Sequence, residues 1–338
     1  MKHLPETFIK SGIGLAAFLL MLFVDAVTAL SASSPWYDAA KKEGEIIIYT
    51  SISVDEHPKM VDPFSRKYPG INVKFIRQSS NSVLQRVLNE GRAGKSLADI
   101  VAVGAEYLNV IEEKGLLQGF KSAESNAKPD GQWYQIYLSD HGIGYNTNLV
   151  SRKDAPVHYK DLLHKRWAGG HIAINMGNPT WIYTMLDFFG EEQGMKFLKD
   201  FAAIGPRAER GTTRIMQSLS AGEMNAAVAL NANRVIQTKE KGAPVDLAPI
   251  KDAVYADVHG IGVHAQSRHP NAARLFIDFL VSKQGQQIMA TDLSKIPADP
   301  DVAFKAYDVD RKNLRLIGRN ALAKINDYEK MMQKLFTK

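Results

Sequence analysis

RHPNAARLFIDFLVSKQGQQIM, residues 268–289, reads as two short helices laid end to end. Pro270 suits a first helical turn, where its missing N–H costs nothing. Ala273, Phe276, Ile277 and Leu280 recur at i, i+3, i+4 and i+7, which predicts one apolar stripe against a core. Ser282 is placed to end this helix and cap a second, carrying Gln286, Gln287 and Ile288.

Working outward, the segments upstream alternate between strand and helix patterns. Residues 45–50 (EIIIYT), 71–77 (INVKFIR) and 98–104 (ADIVAVG) are β-rich runs bounded by Gly, Ser or Pro. Helical patterns fill 55–68 and 82–93 between them, and Pro63 predicts a break or kink in the first. Such βαβαβ alternation predicts a mainly parallel α/β sheet with right-handed crossovers. A second series follows, with strands at 142–146 (GIGYN), 171–175 (HIAIN) and 226–230 (AAVAL) and helices at 181–189, 191–201 and 213–220. GIGVH at 260–264 reads as a returning strand. Crossings near 140–146 and 253–260 divide the chain into a discontinuous first lobe, 30–142 with 257–338, and a second lobe, 143–256. The polar stretch 121–131 reads as a surface loop.

Lys2 and Lys10 flank a short basic region ahead of the uncharged run 13–24 (IGLAAFLLMLFV), which fits a signal-peptide core and is short of the roughly 20 residues of a membrane span. Val27 and Ala29, at the −3 and −1 positions, place cleavage after Ala29, with Ala32 as the alternative, leaving about 309 residues, enough for two ordinary domains. With no cysteine there is no disulfide, no thiolate metal site, no Cys nucleophile and no lipid-bearing Cys, so a freely soluble exported protein is expected in a periplasm. Net charge is +6. Basic residues gather in 311–338, where a helical stripe (Leu322, Ile325, Met332, Leu335) favours a solvated helix face over a nucleic-acid patch.

Ligands of open parallel sheets sit beyond the carboxyl ends of the strands. The loops there hold Ser51 and Ser53, then Ser80 and Asn81, then Gly104 and Ala105. In the second series they hold Asn178, Pro179 (expected at position N1) and Thr180, then Arg210 and Thr212, then Asn231 and Arg234. Hydroxyls and amides at helix N-termini favour an anion, and the two arginines could clamp one with paired donors. Enzyme motifs fall short. NEGRAGKS (89–96) has Asn89 where a phosphate loop needs glycine, Ser125 and Lys128 lack partner motifs, and no G-x-S-x-G or H-E-x-x-H occurs. His259 and His264, five apart on a strand, face opposite ways, and His269 is expected at the surface, so no metal or other cofactor is assigned.

An ordered set of words now spans nearly the whole mature chain. It runs Tyr49-Thr50-Ser51, Ala98-Asp99-Ile100, Gly115-Leu116-Leu117, GYNTNLV at 144–150, Ser220-Ala221-Gly222-Glu223 and the 268–289 segment. In this the chain resembles the family 1 extracellular solute-binding proteins of ABC importers, in their ferric-iron-transport-type branch. The resemblance implies a non-enzymatic, monomeric, two-lobed type II periplasmic-binding-protein-like fold with a two-strand hinge. It also implies closure over a small-molecule solute and delivery to a membrane permease driven by a cytoplasmic ATPase. Iron-binding members carry adjacent tyrosines where this chain reads Leu230-Asn231-Ala232-Asn233-Arg234, and often a His where it has Ser51-Ile52-Ser53. The expectation is therefore a small anion (an organic carboxylate, phosphonate or sugar phosphate), with Tyr145 and Trp181 read either as ring contacts or as core residues. The alternative is ferric iron held by other oxygen ligands.

Overall fold

The computed structural model describes residues 34–124, 127, 129–309 and 313–337; the signal-peptide expectation and the Ser125/Lys128 pair lie outside them. Among the described residues thirteen strands form one sheet. They are β1 (Glu45–Thr50), β2 (Asn72–Arg77), β3 (Ile100–Gly104), β4 (Leu117–Gln118), β5 (Pro129–Asp130), β6 (Trp133–Asn146) and β7 (Ile172–Asn175). Then come β8 (Arg207–Glu209), β9 (Ala226–Asn231), β10 (Val245–Leu247), β11 (Val254–His264), β12 (Ile296–Pro297) and β13 (Leu314–Leu316). The order along the sheet is β2-β1-β3-β11-β6-β9-β7-β8. The two outer triplets, β2-β1-β3 and β9-β7-β8, are parallel within themselves, and antiparallel β11 and β6 join them.

The apolar runs follow from burial on both faces. In β3, Ile100 and Ala102 enter one core while Val101 and Val103 enter the core on the opposite face. In the second triplet Ala226 and Val228 face one core, and Ala227 and Leu230 the other. Strands buried on both sides read as continuous apolar runs rather than alternations. That is why these strands were found close to their predicted positions.

β6 and β11 were found only by their ends. GIGYN and GIGVH are the tails of strands that begin at Trp133 and Val254. The missing part of β6 carries Ser139, Asp140 and His141, polar residues at the point where the strand changes partners. Residues 134–140 pair with β11, and His141 onward pairs with β9.

The 268–289 segment folds as helices Pro270–Val281 and Lys283–Thr291, and the Ser282 hydroxyl accepts from the Gly285 N–H at 3.2 Å as a cap. The expected single stripe is too narrow. Leu275, Phe279 and Val281 are buried along with Ala273, Phe276, Ile277 and Leu280, because the first helix is covered on nearly every side. A Cβ on Gly285 would lie 2.2 Å from the Phe279 carbonyl, so only glycine lets the two helices meet at this elbow.

Four other expectations change. The helix His57–Lys67 runs unbroken through Pro63. Only one backbone bond is lost there, and Met60 and Phe64, buried on either side of the proline, hold the helix in place. Pro179 is the N-cap of helix Thr180–Phe189 instead of its first residue. His269 is not a free surface group, since its Nδ1 lies 2.9 Å from the buried Asp99 carboxylate. Residues 257–338 do not all pack with the first lobe. Ile317 and Leu322 join its core, but helix Ile325–Phe336 buries Tyr328, Met332 and Phe336 against Trp181 and Phe201 of the second. No helix among the described residues is long and apolar enough to cross a membrane.

Candidate functional site

The carboxyl ends of both parallel triplets meet at β6 and β11, and polar side chains concentrate there. Ser139 and His141, two apart on β6, share a face, and Ser139 pairs in register with Asp257 of β11. Four loops converge on this floor.

From the second lobe, Asn178 Nδ2 donates to the Ala229 carbonyl (3.3 Å), and Thr180 Oγ1 donates to Asn178 Oδ1 (2.6 Å). Asn175 Nδ2 donates to the same carbonyl and to Thr212 Oγ1, both at 3.2 Å. Asn231 Nδ2 donates to Ser139 Oγ at 2.6 Å, tying β9 to the floor. Ala229 explains this convergence. Its φ of +59° is a left-handed conformation that costs a non-glycine residue energy. It sits where the β6–β9 register slips between Gly142 and Gly144, and its carbonyl becomes the shared acceptor of two asparagines. Thus Asn178, Thr180 and Thr212, all picked out from sequence, belong to one hydrogen-bonded group, and Asn231 is tied separately to Ser139.

Helix termini add to its character. Helices Ala105–Glu113, Thr180–Phe189, Thr212–Ser220 and Ala232–Glu240 start after these strands, and none has a side-chain cap. By contrast Ser79 and Ser282 cap their helices. Uncapped starts leave N–H groups and the positive end of the helix dipole available to an anion.

The other sequence candidates are placed differently. Ser51 is half-buried with its N–H on the Ala102 carbonyl (3.2 Å), and Ser53 precedes the short turn Val54–Glu56 without capping it. Ser80 and Asn81 lie in the first turn of helix Ser80–Arg92, which Ser79 caps. Neither arginine is free. Arg234 Nη1 lies 3.2 Å from Asp55 and 2.8 Å from Gln237 Oε1, while exposed Arg210 reaches Glu329 at 3.2 Å. A shared arginine clamp is therefore not formed, because each guanidinium already has a carboxylate. Tyr145 and Trp181 are wholly buried core residues and not ring contacts.

Sequence reading missed the acidic half of the floor. Glu106, in the first turn after β3, has its carboxyl pushed up to about 8 by burial and then by the neighbouring Asp257 charge. Burial pushes Glu56 up, but the Lys295 ammonium 2.8 Å away outweighs it and holds the carboxyl below its usual range. Lys295 also lies 3.9 Å over the Tyr137 ring, whose plane stacks on His259. His259 is driven down to about 3 by burial and by Lys295, so it stays neutral. Asp140, buried where β6 changes partners, rises to about 6 through burial, and the Tyr307 hydroxyl donating at 2.5 Å opposes that rise.

Across the mouth of the cleft the halves touch directly. Gln237 Nε2 donates to the Leu293 carbonyl (2.8 Å) and to Glu56 (3.3 Å), beside the Arg234–Asp55 pair. A cavity of about 380 Å³ opens there between Asp55, Glu56 and Lys59 on one side and Gln237, Glu240 and Lys241 on the other. Among the described residues no group of three or more His, Asp or Glu side chains is arranged to hold a metal ion.

Comparison with known proteins agrees with this architecture. Iron uptake protein A1 of Synechocystis sp. is 25% identical over 318 residues, covering 85% of this chain and 87% of its own. The substrate binding protein of an ABC transporter from Agrobacterium tumefaciens superposes with a TM-score of 0.78 at 17% identity, over 88% of this chain and 97% of its own. The periplasmic binding protein AfuA of Actinobacillus pleuropneumoniae, with fructose-6-phosphate bound, superposes with a TM-score of 0.71 at 19% identity, over 87% and 98%. The type II periplasmic-binding fold is thereby established for this chain. Residues 95–324 match the family described as bacterial extracellular solute-binding protein, and with well over half its length in that match the chain belongs to this family.

Proposed function

We propose that this protein is the periplasmic solute-binding component of an ABC import system and captures a small anionic solute between its two lobes. The supporting observation is the set of four uncapped helix N-termini around the floor, three of them beside Asn178, Thr180, Thr212 and Asn231. Asn178, Thr212 and Asn231 are the proposed anion contacts, and Thr180, whose hydroxyl hydrogen goes to Asn178, holds Asn178 in position. Arg234, engaged with Asp55 and next to Gln237, is assigned to closing the mouth of the cleft. Capture and release by lobe closure need no covalent chemistry. A relative with fructose-6-phosphate bound supports the class of solute.

A thermal-shift screen of carboxylates, phosphonates, sugar phosphates and ferric citrate on the purified protein tests this, since a ligand bound only to the native state raises its melting temperature. A shift with anions, reduced by Thr212→Val, is expected; a response to ferric salt alone overturns the anion reading. Ferric iron is the second reading, supported by the iron-uptake relative. It lacks tyrosines at 230–234, and the second-lobe loops there offer amides and hydroxyls in their place.

A further inference from the structure

The acidic side of the floor asks for a second chemical group on the same solute, an inference that rests on the anion reading above. The argument turns on which nitrogen of His141 carries the proton. Asn178 gives its amide hydrogens to the Ala229 carbonyl, which turns Oδ1 toward Thr180, and Thr180 Oγ1 donates to that oxygen at 2.6 Å. The Thr180 oxygen is then an acceptor for His141 Nε2 at 3.2 Å, and the same Nε2 faces Asp257 Oδ2 at 2.9 Å. Both contacts require the proton on Nε2, which in the neutral imidazole leaves Nδ1 as a lone-pair acceptor.

That acceptor is unused. The His141 side chain is 3% exposed, and its Nδ1 has no partner among the described residues. Asp257 Oδ1 and Glu106 Oε2 are buried and equally unpartnered. Gly104 keeps the Glu106 carboxyl where it is, because a Cβ there would sit 2.6 Å from Oε2. The His141–Asp257 contact places two of the groups together, and the strand register brings the third, since Gly104, against which the Glu106 carboxyl lies, pairs with His259 two residues along β11 from Asp257. Buried acceptors without donors are costly, and native proteins rarely leave several side by side.

We propose that the solute carries hydrogen-bond donors, hydroxyl or ammonium, at the end away from its anionic group, and that Asp257, Glu106 and His141 bind them. A simple anion would satisfy only the helix N-termini, whereas a solute with both ends satisfies both halves of the floor.

Matched pairs of ligands test this by calorimetric titration of the purified protein. Glycerol 3-phosphate is compared with propyl phosphate, and phosphoethanolamine with ethyl phosphate. Tenfold or greater preference for the donor-bearing member of at least one pair is expected, and the pair that shows it distinguishes hydroxyl from ammonium. In Asp257→Ala the preference should fall to within twofold while the donor-free compound keeps its affinity, with an unchanged circular dichroism spectrum showing that the variant folds. If Asp257→Ala fails to fold, Gly104→Ala, which displaces the Glu106 carboxyl, should reduce the same preference. Equal affinities within both pairs, or a preference that survives the substitution in a folded variant, overturn this inference alone. Failure of all four phosphates to bind overturns it together with the anion reading.

Discussion

Glu106→Gln isolates the electrostatics of the cleft in one substitution. An unfolded chain loses this carboxyl proton near the ordinary value of 4.5, whereas the folded protein keeps it until about 8, because burial and then the Asp257 charge oppose ionisation. Between those values the native state binds the extra proton, so the group's contribution to stability is lost as pH rises through the window. At about 1.4 kcal/mol for each pH unit the ceiling is about 5 kcal/mol. Relaxation and water entry around a newly charged group reduce this to about 1–3 kcal/mol. Glutamine keeps the shape and the donor–acceptor pair of a protonated acid but never ionises. Asp257, His141 and His259 face the same region in both proteins, so variant and parent must be compared at each pH. Thermal unfolding should show little difference at pH 5 and the variant ahead by about 2–6 °C at pH 9, taking about 2 °C for each kcal/mol in a protein of this size. A difference that stays constant from pH 5 to pH 9 refutes the argument, since it leaves no place for a carboxyl that titrates differently in the folded state.

Tyr307→Phe removes a side-chain donor to buried Asp140 and should cost about 1–3 kcal/mol in urea unfolding. The loss should be larger at pH 8 than at pH 5, because Asp140 is charged above about 6; equal losses would count against that change of charge. Gly285→Ala drives a Cβ into the Phe279 and Leu280 carbonyls, and about 1–3 kcal/mol of destabilisation by denaturant titration is expected. A double-mutant cycle on Arg234 and Asp55 should give a coupling of about 0.2–1 kcal/mol, the range of a largely exposed pair. A coupling of zero would mean that the two residues do not hold the cleft mouth together.

Much of the fold was legible before any coordinates, because it rests on local patterns. Apolar runs buried on both faces marked β1, β3, β7 and β9, and Pro270 and Ser282 marked the two helices that close the first core. The second-lobe half of the site was legible for a similar reason. Short polar residues between a strand and a helix reveal themselves by type and position, as Asn178, Thr180, Thr212 and Asn231 did. Other features depended on packing between distant segments. Whether Arg234 is free for a solute depends on Asp55, 179 residues away, and Arg210 is taken by Glu329 at a separation of 119. Glu106 looked like an ordinary helical surface residue until Gly104 and Asp257 were seen to enclose it.

Residues 268–289 thus carried their own two helices in periodicity and capping, since such signals need only neighbours a few residues apart, whereas the class of the protein came from the resemblance of their wording to a known family. The balance of charge on the cleft floor came from elsewhere. It arises where β6 leaves one set of strands for the other and brings His141, Asp257 and Glu106 together from three distant parts of the chain. Burial and mutual charge act on those groups only once the chain has folded, so tertiary structure alone gives them their chemistry.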